Sequence, residues 1–232
     1  MSMQPALIIF DCDGVLIDSE VISARALIVA LAHHGLIVDR PHVARHFLGR
    51  SFPAVRADIR ERLGVQLPDG FEDEYRSRLF AAFETELVAM AGAADMLAAL
   101  KVPFCLATSS SPMRLARSLT IVGLTQTFAG RSFTASEVAH GKPAPDLFLH
   151  AASQMGVDPG DCAVMEDSPT GLAAGLAAGM QVWRFTGGSH MTGADLTLPD
   201  ELQPHRSFAS FTELRTEFPT LFHAPMSATV SV

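Results

Sequence analysis

Cysteine and lysine are scarce in this sequence. Its three cysteines, Cys12, Cys105 and Cys162, show no CxxC spacing, which argues against both a disulfide framework and a zinc site. Only two lysines occur among 232 residues, Lys101 and Lys142, against 15 arginines. A lysine in a loop between predicted elements therefore carries more weight here than it would in an average chain.

Positive charge and long apolar runs are also scarce. The chain has 17 Lys and Arg against 25 Asp and Glu, which gives a formal net charge of −8 at pH 7. This average charge repels a phosphate backbone, so we expect no nucleic-acid partner. Apolar runs such as residues 26–32 and 87–94 are much shorter than the ~18 residues of a membrane-spanning helix, so we expect no membrane partner.

The N-terminal region lacks the features of a secretory signal. No basic residue precedes the apolar run 6–10, and Asp11 ends that run. A secretory signal needs a charged start and a longer apolar stretch. We therefore expect the protein to act in the cytoplasm, where its cysteines stay reduced.

Short apolar runs alternate with helix-like stretches over most of the chain. The runs at 7–10, 104–107, 162–165 and 181–183 are typical of strands buried on both faces of a parallel sheet. The tail, residues 219–232, lacks charge and periodicity, and we expect it to be held loosely. The alternation itself predicts an α/β fold with a doubly wound parallel sheet.

Residues 20–86 interrupt this alternation. No buried-strand run occurs there, and apolar residues recur at intervals of three and four, as on one face of a helix. This periodicity predicts helices near residues 21–31, 40–47, 52–63 and 71–88. We therefore predict an all-helical cap over residues 19–88, inserted into a core formed by residues 1–18 and 89–232.

Polar residues follow the predicted strands at the points where the strands end. The carboxyl ends of parallel strands share one edge of the sheet, where ligands bind and helix N-termini attract anions. Ser-Pro helix-start signals at 111–112 and 168–169 mark two such N-termini. The polar residues at or near this edge are Asp11, Asp13, Thr108, Ser109, Lys142, Glu166 and Asp167.

The chemistry of this set is that of a phosphate site. Four carboxylates at one edge repel one another unless a cation lies among them, and oxygen ligands alone favour a hard ion, Mg²⁺ before Ca²⁺. A lysine, hydroxyls and backbone amides opposite that ion suit a phosphoryl group. An EF-hand is excluded, since Leu16 and Ile22 stand where Gly and Glu are needed. Each motif alone also fits a simple turn or helix cap, and the order of the motifs favours the site.

The four motifs together resemble the haloacid dehalogenase (HAD) superfamily, in its phosphatase and β-phosphoglucomutase-like branch. Residues 11–20, DCDGVLIDSE, are similar to its first motif, and Thr108 matches the second. Lys142, in KPAPD, matches the third motif, and residues 166–168, EDS, match the fourth. The resemblance spans nearly the whole chain. It implies a Rossmann-like core with a helical cap inserted after the first strand.

The resemblance also implies a role for each motif residue. Asp11 would attack phosphorus and form an aspartyl-phosphate, and Asp13 would protonate the leaving alcohol and later take a proton from water. Thr108 and Lys142 would hold the phosphoryl oxygens, together with backbone amides near Ser109. The implied ligands of Mg²⁺ are the Asp11 carboxylate, the Asp13 backbone carbonyl, Asp167 and, directly or through water, Glu166.

Departures from related enzymes narrow the expected reaction. Dehalogenases proper lack the second aspartate, and phosphonoacetaldehyde hydrolases need a cap lysine, whereas the predicted cap here has none. β-Phosphoglucomutase-like enzymes carry a histidine where this chain has Ser23. Their phosphate-binding arginine aligns with Phe52, although Arg50 lies close by in sequence. Hydrolysis of a phosphate monoester is therefore favoured, and a phosphosugar mutase or a non-catalytic binding protein are the alternatives.

The predicted cap also bears on the substrate. Eight arginines lie between residues 39 and 86, and they either select an anionic leaving group or form solvated faces balanced by nine acidic residues. Residues 83–87 and 176–180 resemble the 6-phosphogluconate phosphatase subgroup. We expect a small phosphorylated metabolite as substrate and a monomeric protein. The expected substrate-binding residues are Ser23, Arg50, Arg76, Arg78 and Ser109.

Overall fold

A six-stranded parallel sheet forms the centre of the computed structural model, which describes residues 4–223. The strands are β1 (Leu7–Phe10), β2 (Phe104–Thr108), β3 (Ser132–Thr134), β4 (Cys162–Glu166), β5 (Gln181–Phe185) and β6 (Arg206–Phe208). Their order is β3-β2-β1-β4-β5-β6, and every neighbouring pair is parallel. The chain winds outward in both directions from β1, so the predicted Rossmann-like, doubly wound α/β fold is confirmed.

The four strands predicted from apolar runs are all present, and two further strands are not in the prediction. β3 and β6 are three residues long and form the two edges of the sheet. In β6, Arg206 and Ser207 are exposed, and only Phe208 is buried. Edge strands of this kind have no continuous apolar run, because water covers part of their surface.

Nine α-helices are present in residues 4–223. They are α1 (Glu20–His33), α2 (Arg40–His46), α3 (Phe52–Leu63), α4 (Phe71–Glu86), α5 (Ala93–Ala99), α6 (Pro112–Ile121), α7 (Asp146–Met155), α8 (Pro169–Ala177) and α9 (Phe211–Glu217). The first four follow one another between β1 and α5, which confirms that this segment is helical. None of the described helices is long and apolar enough to cross a membrane. The division into a cap, 19–88, and a core, 1–18 with 89–232, stays a prediction.

The apolar side chains form three buried clusters. Ile8 and Phe10 of β1 lie in one cluster and Leu7 and Ile9 in another, because successive side chains of a strand point to opposite faces of the sheet. All four are fully buried, which explains the continuous apolar run in the sequence. The third cluster lies within α1–α4 and their connections, so this helical segment has apolar packing of its own.

The chain leaves the sheet and returns to it at one place. Ile17 and Ala89 form an antiparallel bridge, and the Asp18 amide donates a hydrogen bond to the Val88 carbonyl at 3.0 Å. The two connections that flank α1–α4 are therefore paired with each other in a short ladder.

The expectation of a loosely held tail is wrong for its described part. Residues Pro219–Leu221 form a 3₁₀ helix, and Leu221 and Phe222 are buried. The Leu221 carbonyl accepts a hydrogen bond from the Lys101 amide at 2.8 Å. The absence of charge in this segment reflects contact with the core. Residues 224–232 of the expected tail lie outside the described residues.

Trp183 provides a test of the core packing. Its ring is fully buried and stacks on Phe218 with the ring centroids 4.9 Å apart. We expect Trp183→Ala to lower the free energy of unfolding by about 3–5 kcal/mol, because a large cavity replaces the ring. Urea denaturation followed by circular dichroism measures this, since the variant lacks tryptophan. Ile37→Ala, at a side chain that is 82% exposed, is the matched control, and an equal effect of the two changes would contradict the packing described here.

Candidate active site

Three neighbouring strands end at the candidate site. β1 lies between β2 and β4, so Asp11, Thr108 and Glu166 occupy the same edge of the sheet. Helices α6 and α8 begin within four residues of β2 and β4. The side chains of Ser111 and Ser168 accept hydrogen bonds from backbone amides in the first turns of these helices, as the Ser-Pro signals predict. Two helix N-termini therefore lie beside the carboxylates.

Lys142 joins two carboxylates in the interior of the protein. Its Nζ lies 2.6 Å from Asp11 Oδ1 and 2.8 Å from Glu166 Oε1, and it donates a third hydrogen bond to the Ala107 carbonyl at 3.2 Å. The lysine side chain is 1% exposed. The loop before α7 places it there, between β1 and β4. The three donor hydrogens of the ammonium group are thus all used.

The buried carboxyl groups are costly to ionise. Burial raises the pKa of Asp11 well above its ordinary value, and the charge of Lys142 opposes this shift only in part. Burial also raises the pKa of Asp167, and the nearby charge of Glu166 adds to the effect. Burial opposes the charge of Lys142, but the charges of Asp11 and Glu166 outweigh it and raise the lysine pKa. One lysine therefore does not neutralise this group of carboxylates.

Asp11, Glu166 and Asp167 fit a metal ion. One carboxylate oxygen from each lies within 4.8 Å of the others, and all three side chains are buried. Oxygen donors of this kind suit a hard divalent cation, which would also lower the raised pKa values of Asp11 and Asp167. The Asp13 carboxyl does not belong to this cluster. Both oxygens of Glu166 already accept hydrogen bonds, one from Lys142 and one from Ser168.

Asp13 lies two residues from Asp11 but in a different environment. Its Oδ1 accepts hydrogen bonds from Ser19 Oγ and Arg114 Nη2, both at 2.6 Å, and its Oδ2 accepts one from Ser110 Oγ, also at 2.6 Å. Burial alone would raise the pKa of Asp13, but the charge of Arg114 and the hydrogen bonds lower it below its ordinary value. The Asp13 carboxylate is therefore ionised and held in one orientation.

Two neighbouring cavities with shared lining residues lie at the site. The inner cavity, about 70 Å³, is lined by Asp11, Asp13, Thr108 and Ser109, by residues of α1, α3 and α4, and by the connection 47–50. The outer cavity, about 370 Å³, lies between α3, α4 and the loops after β2 and β3. The residues that line both cavities are Arg50, Phe52, Tyr75, Ser109, Ser110 and Arg114. Ser109 Oγ is buried without a hydrogen-bond partner among the described residues.

Two arginines of the helical segment, Arg50 and Arg76, line the cavities, and both pair with acidic side chains of the same segment. Arg50 lines both cavities, while its guanidinium donates to Asp58 and to the His46 carbonyl, each at 2.9 Å. Arg76 lines the outer cavity and pairs with Glu72.

Of the other two expected substrate-binding residues of this segment, one lines a cavity and one does not. Arg78 pairs with Glu74 and contacts His33 on α1, and it lines neither cavity. Ser23 lines the inner cavity, donates to the Ser19 carbonyl at 2.9 Å and accepts from Arg114 at 3.0 Å.

Several residues at the site are absent from the sequence-based set. Arg114 and Ser110 follow Thr108 in the same loop and helix, and an arginine in the first turn of a helix at this edge was a usable signal. His190 lies in the 3₁₀ helix Ser189–Met191 after β5, with its Nε2 at 2.9 Å from Asp167 Oδ2. Burial lowers the pKa of His190, and no sequence pattern links it to Asp167.

Comparison with known proteins gives consistent matches. A family model described as haloacid dehalogenase-like hydrolase matches residues 5–179. The chain is 31% identical over 184 residues to 6-phosphogluconate phosphatase of Escherichia coli (strain K12), covering 79% of this chain and 83% of that protein. It is 35% identical over 180 residues to hexitol phosphatase A of the same strain, covering 75% and 80%. A crystal structure of a HAD family hydrolase from Deinococcus radiodurans R1, with bound phosphate and sodium, is 36% identical with a TM-score of 0.69, covering 93% of this chain and 96% of that one.

Gly171 of α8 leaves the space that Glu166 occupies. A Cβ atom at this position would lie 1.7 Å from Glu166 Oε1, the atom that binds Lys142. We expect Gly171→Ala to lower the free energy of unfolding by about 1–3 kcal/mol, as overpacking does, in spite of the helix propensity of alanine. Urea denaturation measures the change. Gly160→Ala is the control, because a Cβ there meets nothing within 4 Å. An unchanged free energy of unfolding in Gly171→Ala would contradict the close contact with Glu166.

Glu20 makes the stability of the metal-free protein depend on pH. Burial, together with the charges of Asp13 and Asp167, raises the pKa of Glu20 from 4.5 to about 8. A carboxyl whose pKa is raised by folding stabilises the folded state below its ordinary pKa, and this stabilisation is lost as the pH rises through the folded value. The free energy of unfolding should therefore fall between pH 4.5 and about 8, and Glu20→Gln should reduce the fall.

Denaturation by urea with EDTA at several pH values across this range measures the slope. Glu61→Gln, at a side chain that is 71% exposed, should keep the slope of the wild type. An unchanged slope in Glu20→Gln would show that Glu20 is not the group responsible.

Proposed function

The chain belongs to the haloacid dehalogenase-like hydrolase family and is a phosphatase, and we propose that it hydrolyses a small phosphate monoester through a covalent intermediate on Asp11. The observation that carries this proposal is the buried contact of Lys142 with Asp11 and Glu166, beside a cavity that Asp11 and Asp13 both line. A nucleophile and an acid–base group thus line one small space, and a cation lies beside the nucleophile. This is the set of groups that phosphoryl transfer requires.

The reaction proceeds in two displacements on phosphorus. In the first, a carboxylate oxygen of Asp11 forms a bond to phosphorus and the bond to the leaving oxygen breaks, while Asp13 gives that oxygen a proton. In the second, water attacks the aspartyl-phosphate, Asp13 takes a proton from the water, and the bond from phosphorus to Asp11 breaks. Asp11 is then restored and inorganic phosphate leaves.

Asp13 needs a proton for the first displacement, although it is ionised in the free protein. A bound phosphate monoester brings negative charge into the inner cavity beside Asp13. This charge raises the pKa of the Asp13 carboxyl and opposes the effect of Arg114. Substrate binding therefore favours the protonated form that the first displacement uses.

The phosphoryl oxygens bind where the positive charges and donors meet. Lys142 supplies positive charge beside Asp11, although its three hydrogens donate to protein oxygens in the free protein, and Thr108 and Ser109 line the inner cavity. The Ser109 hydroxyl has no partner among the described residues, so it is free to donate to an oxygen of the substrate. Donors fixed in advance around the phosphoryl group stabilise the charge that develops on its oxygens.

We propose Mg²⁺ as the cofactor, held by carboxylates of Asp11 and Asp167 and by the Asp13 backbone carbonyl. Glu166 would contribute directly or through water, and its two oxygens also accept hydrogen bonds from Lys142 and Ser168. When bound, the ion supplies Lewis-acid polarisation of a phosphoryl oxygen and neutralises charge. The mutual approach of the Asp11, Glu166 and Asp167 oxygens supports this assignment.

We propose a sugar phosphate or a sugar-acid phosphate, such as 6-phosphogluconate, as the substrate class. The inner cavity has room for little more than the phosphoryl end, and the outer cavity accommodates the rest of a small metabolite. Arg50 and Arg76 line the outer cavity, as we expect for a leaving group with hydroxyls and a carboxylate. The similarity to the 6-phosphogluconate and hexitol phosphatases of E. coli supports this class.

A mutase reaction is the second candidate of the same family. It requires a cap group that restrains the leaving hydroxyl for the return step. The Ser23 hydroxyl, at the position of the mutase histidine, already contacts the Ser19 carbonyl and Arg114. This engagement favours hydrolysis.

We also propose that the protein acts as a monomer in the cytoplasm. Residues of one chain, from the helical segment and from the sheet loops, line both cavities. Its three cysteines are free thiols, which are typical of a reducing compartment.

Phosphate release from a panel of phosphorylated metabolites tests the proposed function. The panel includes 6-phosphogluconate, hexitol phosphates and hexose phosphates, each with Mg²⁺ and with EDTA. We expect release that needs Mg²⁺ and that falls by at least about 10⁴-fold in Asp11→Asn, because the nucleophile is lost. Asp95→Asn, at an exposed aspartate of α5, is the matched control and should keep full activity.

Three outcomes would contradict the proposal. Full activity in Asp11→Asn would overturn the role of Asp11, and equal activity in EDTA would overturn that of the metal. Transfer of the phosphoryl group to a second position of the sugar, without release, would favour the mutase.

A further inference from the structure

Arg114 connects the acid–base group to the helical segment. It belongs to α6, which follows β2, and its Nη2 contacts both Asp13 Oδ1, at 2.6 Å, and Ser23 Oγ of α1, at 3.0 Å. These partners are 101 and 91 residues away in the sequence. A single nitrogen of Arg114 therefore fixes the carboxyl of Asp13 relative to α1.

The surroundings of Arg114 hold its guanidinium in place. The side chain is 18% exposed, and its Cζ lies 5.5 Å from the centre of the Phe83 ring on α4. Burial lowers the pKa of Arg114, but the charges of Asp13, of Tyr75, also on α4, and of Glu20 raise it above its ordinary value. The guanidinium thus lies between α1, α4 and α6, where few other orientations are open to it.

Arg114 also lies at the junction of the two cavities, which it lines together with Ser110. In the proposed reaction the leaving oxygen lies at this junction, because the phosphoryl group fills the inner cavity and the rest of the substrate extends outward. Asp13 must present a carboxyl oxygen to that atom. Ser19 and Ser110 also bind Asp13, but Arg114 is its charged partner and also binds Ser23 within α1.

We propose that Arg114 is a positioning residue for Asp13, and that it makes the enzyme selective for phosphates whose leaving groups need protonation. This inference rests on the proposed function. An alkyl alkoxide is a poor leaving group and requires a proton from an acid held at the right distance. An aryl oxide leaves with little help. Displacement of the Asp13 carboxyl therefore affects alkyl phosphates far more than aryl phosphates.

The kinetics of Arg114 variants on two substrates test this inference. One substrate is an alkyl phosphate hydrolysed by the wild type, and the other is 4-nitrophenyl phosphate. We expect Arg114→Gln to lower kcat on the alkyl phosphate by about 100-fold, the lower end of the range for general acid catalysis, and on 4-nitrophenyl phosphate by less than about 5-fold. KM should change by less than about 3-fold on both, because Arg114 acts through Asp13.

Two further variants separate positioning from a structural role. Arg114→Lys keeps the charge and should recover about 10-fold of the loss on the alkyl phosphate, since a lysine still pairs with a carboxylate at one point. In the Asp13→Asn background, Arg114→Gln should add less than about 2-fold, because the group that it positions is already lost. Arg117→Gln is the matched control, since Arg117 is on the same helix and pairs with the exposed Glu84.

Each alternative result has a distinct meaning. Equal losses on the two substrates, or an added loss in the Asp13→Asn background, would overturn the positioning role, and a raised KM would indicate direct contact with the substrate instead. If circular dichroism shows that Arg114→Gln does not fold, the two-substrate comparison in Arg114→Lys decides the question. A wild type that releases no phosphate from any alkyl phosphate of the panel or from 4-nitrophenyl phosphate would overturn the proposed function itself.

Discussion

The contact of Lys142 with Asp11 and Glu166 is the interaction on which the rest of the site depends. Buried carboxylates are stable only when a cation and hydrogen-bond donors compensate them. The sheet order brings two of these carboxylates together, since Asp11 follows β1 and Glu166 ends the neighbouring β4. Lys142 arrives from the loop before α7. Removal of this one ammonium group would leave the carboxylates at the centre of the molecule without their principal counter-charge. The same contact therefore stabilises the fold and arranges the site.

Two aspartates that are nearly adjacent in sequence differ because their surroundings differ. Burial dominates at Asp11 and raises its pKa, whereas Arg114 and hydroxyl donors lower the pKa of Asp13. Because of these environments, the Asp11 carboxylate needs a further cation, whereas Arg114 already balances the charge of the Asp13 carboxylate. The turn after β1 contains Gly14, whose φ of +78° lets the chain pass close to Asp167 directly after the two aspartates. A Cβ atom at that position would lie 2.1 Å from Asp167 Oδ2.

The sequence-based interpretation reached those features that depend on local pattern. Apolar runs and helical periodicity located four strands and α1–α4, and the order of strand-end residues located the carboxylates and Lys142. The short edge strands β3 and β6 lacked such a pattern. The contact of Arg114 with Asp13 spans 101 residues, and His190 meets Asp167 across the carboxyl ends of two strands. Such pairings arise from packing and carry no spacing signal. The same holds for Arg78, whose position away from the cavities depends on the rotation of α4.

The short ladder of Ile17 with Ala89 and Asp18 with Val88 has a consequence for the assembly of the chain. Closing a loop costs conformational entropy that grows with the number of free residues between its ends. The helices α1–α4 have an apolar cluster of their own, so they are not a free loop once they have packed. With their two ends paired, only residues 11–16 and residues 90–103, which include α5, still connect the two strands. The parallel pairing of β1 with β2 then bears the closure entropy of a short connection, although most of a hundred residues separate the two strands in sequence.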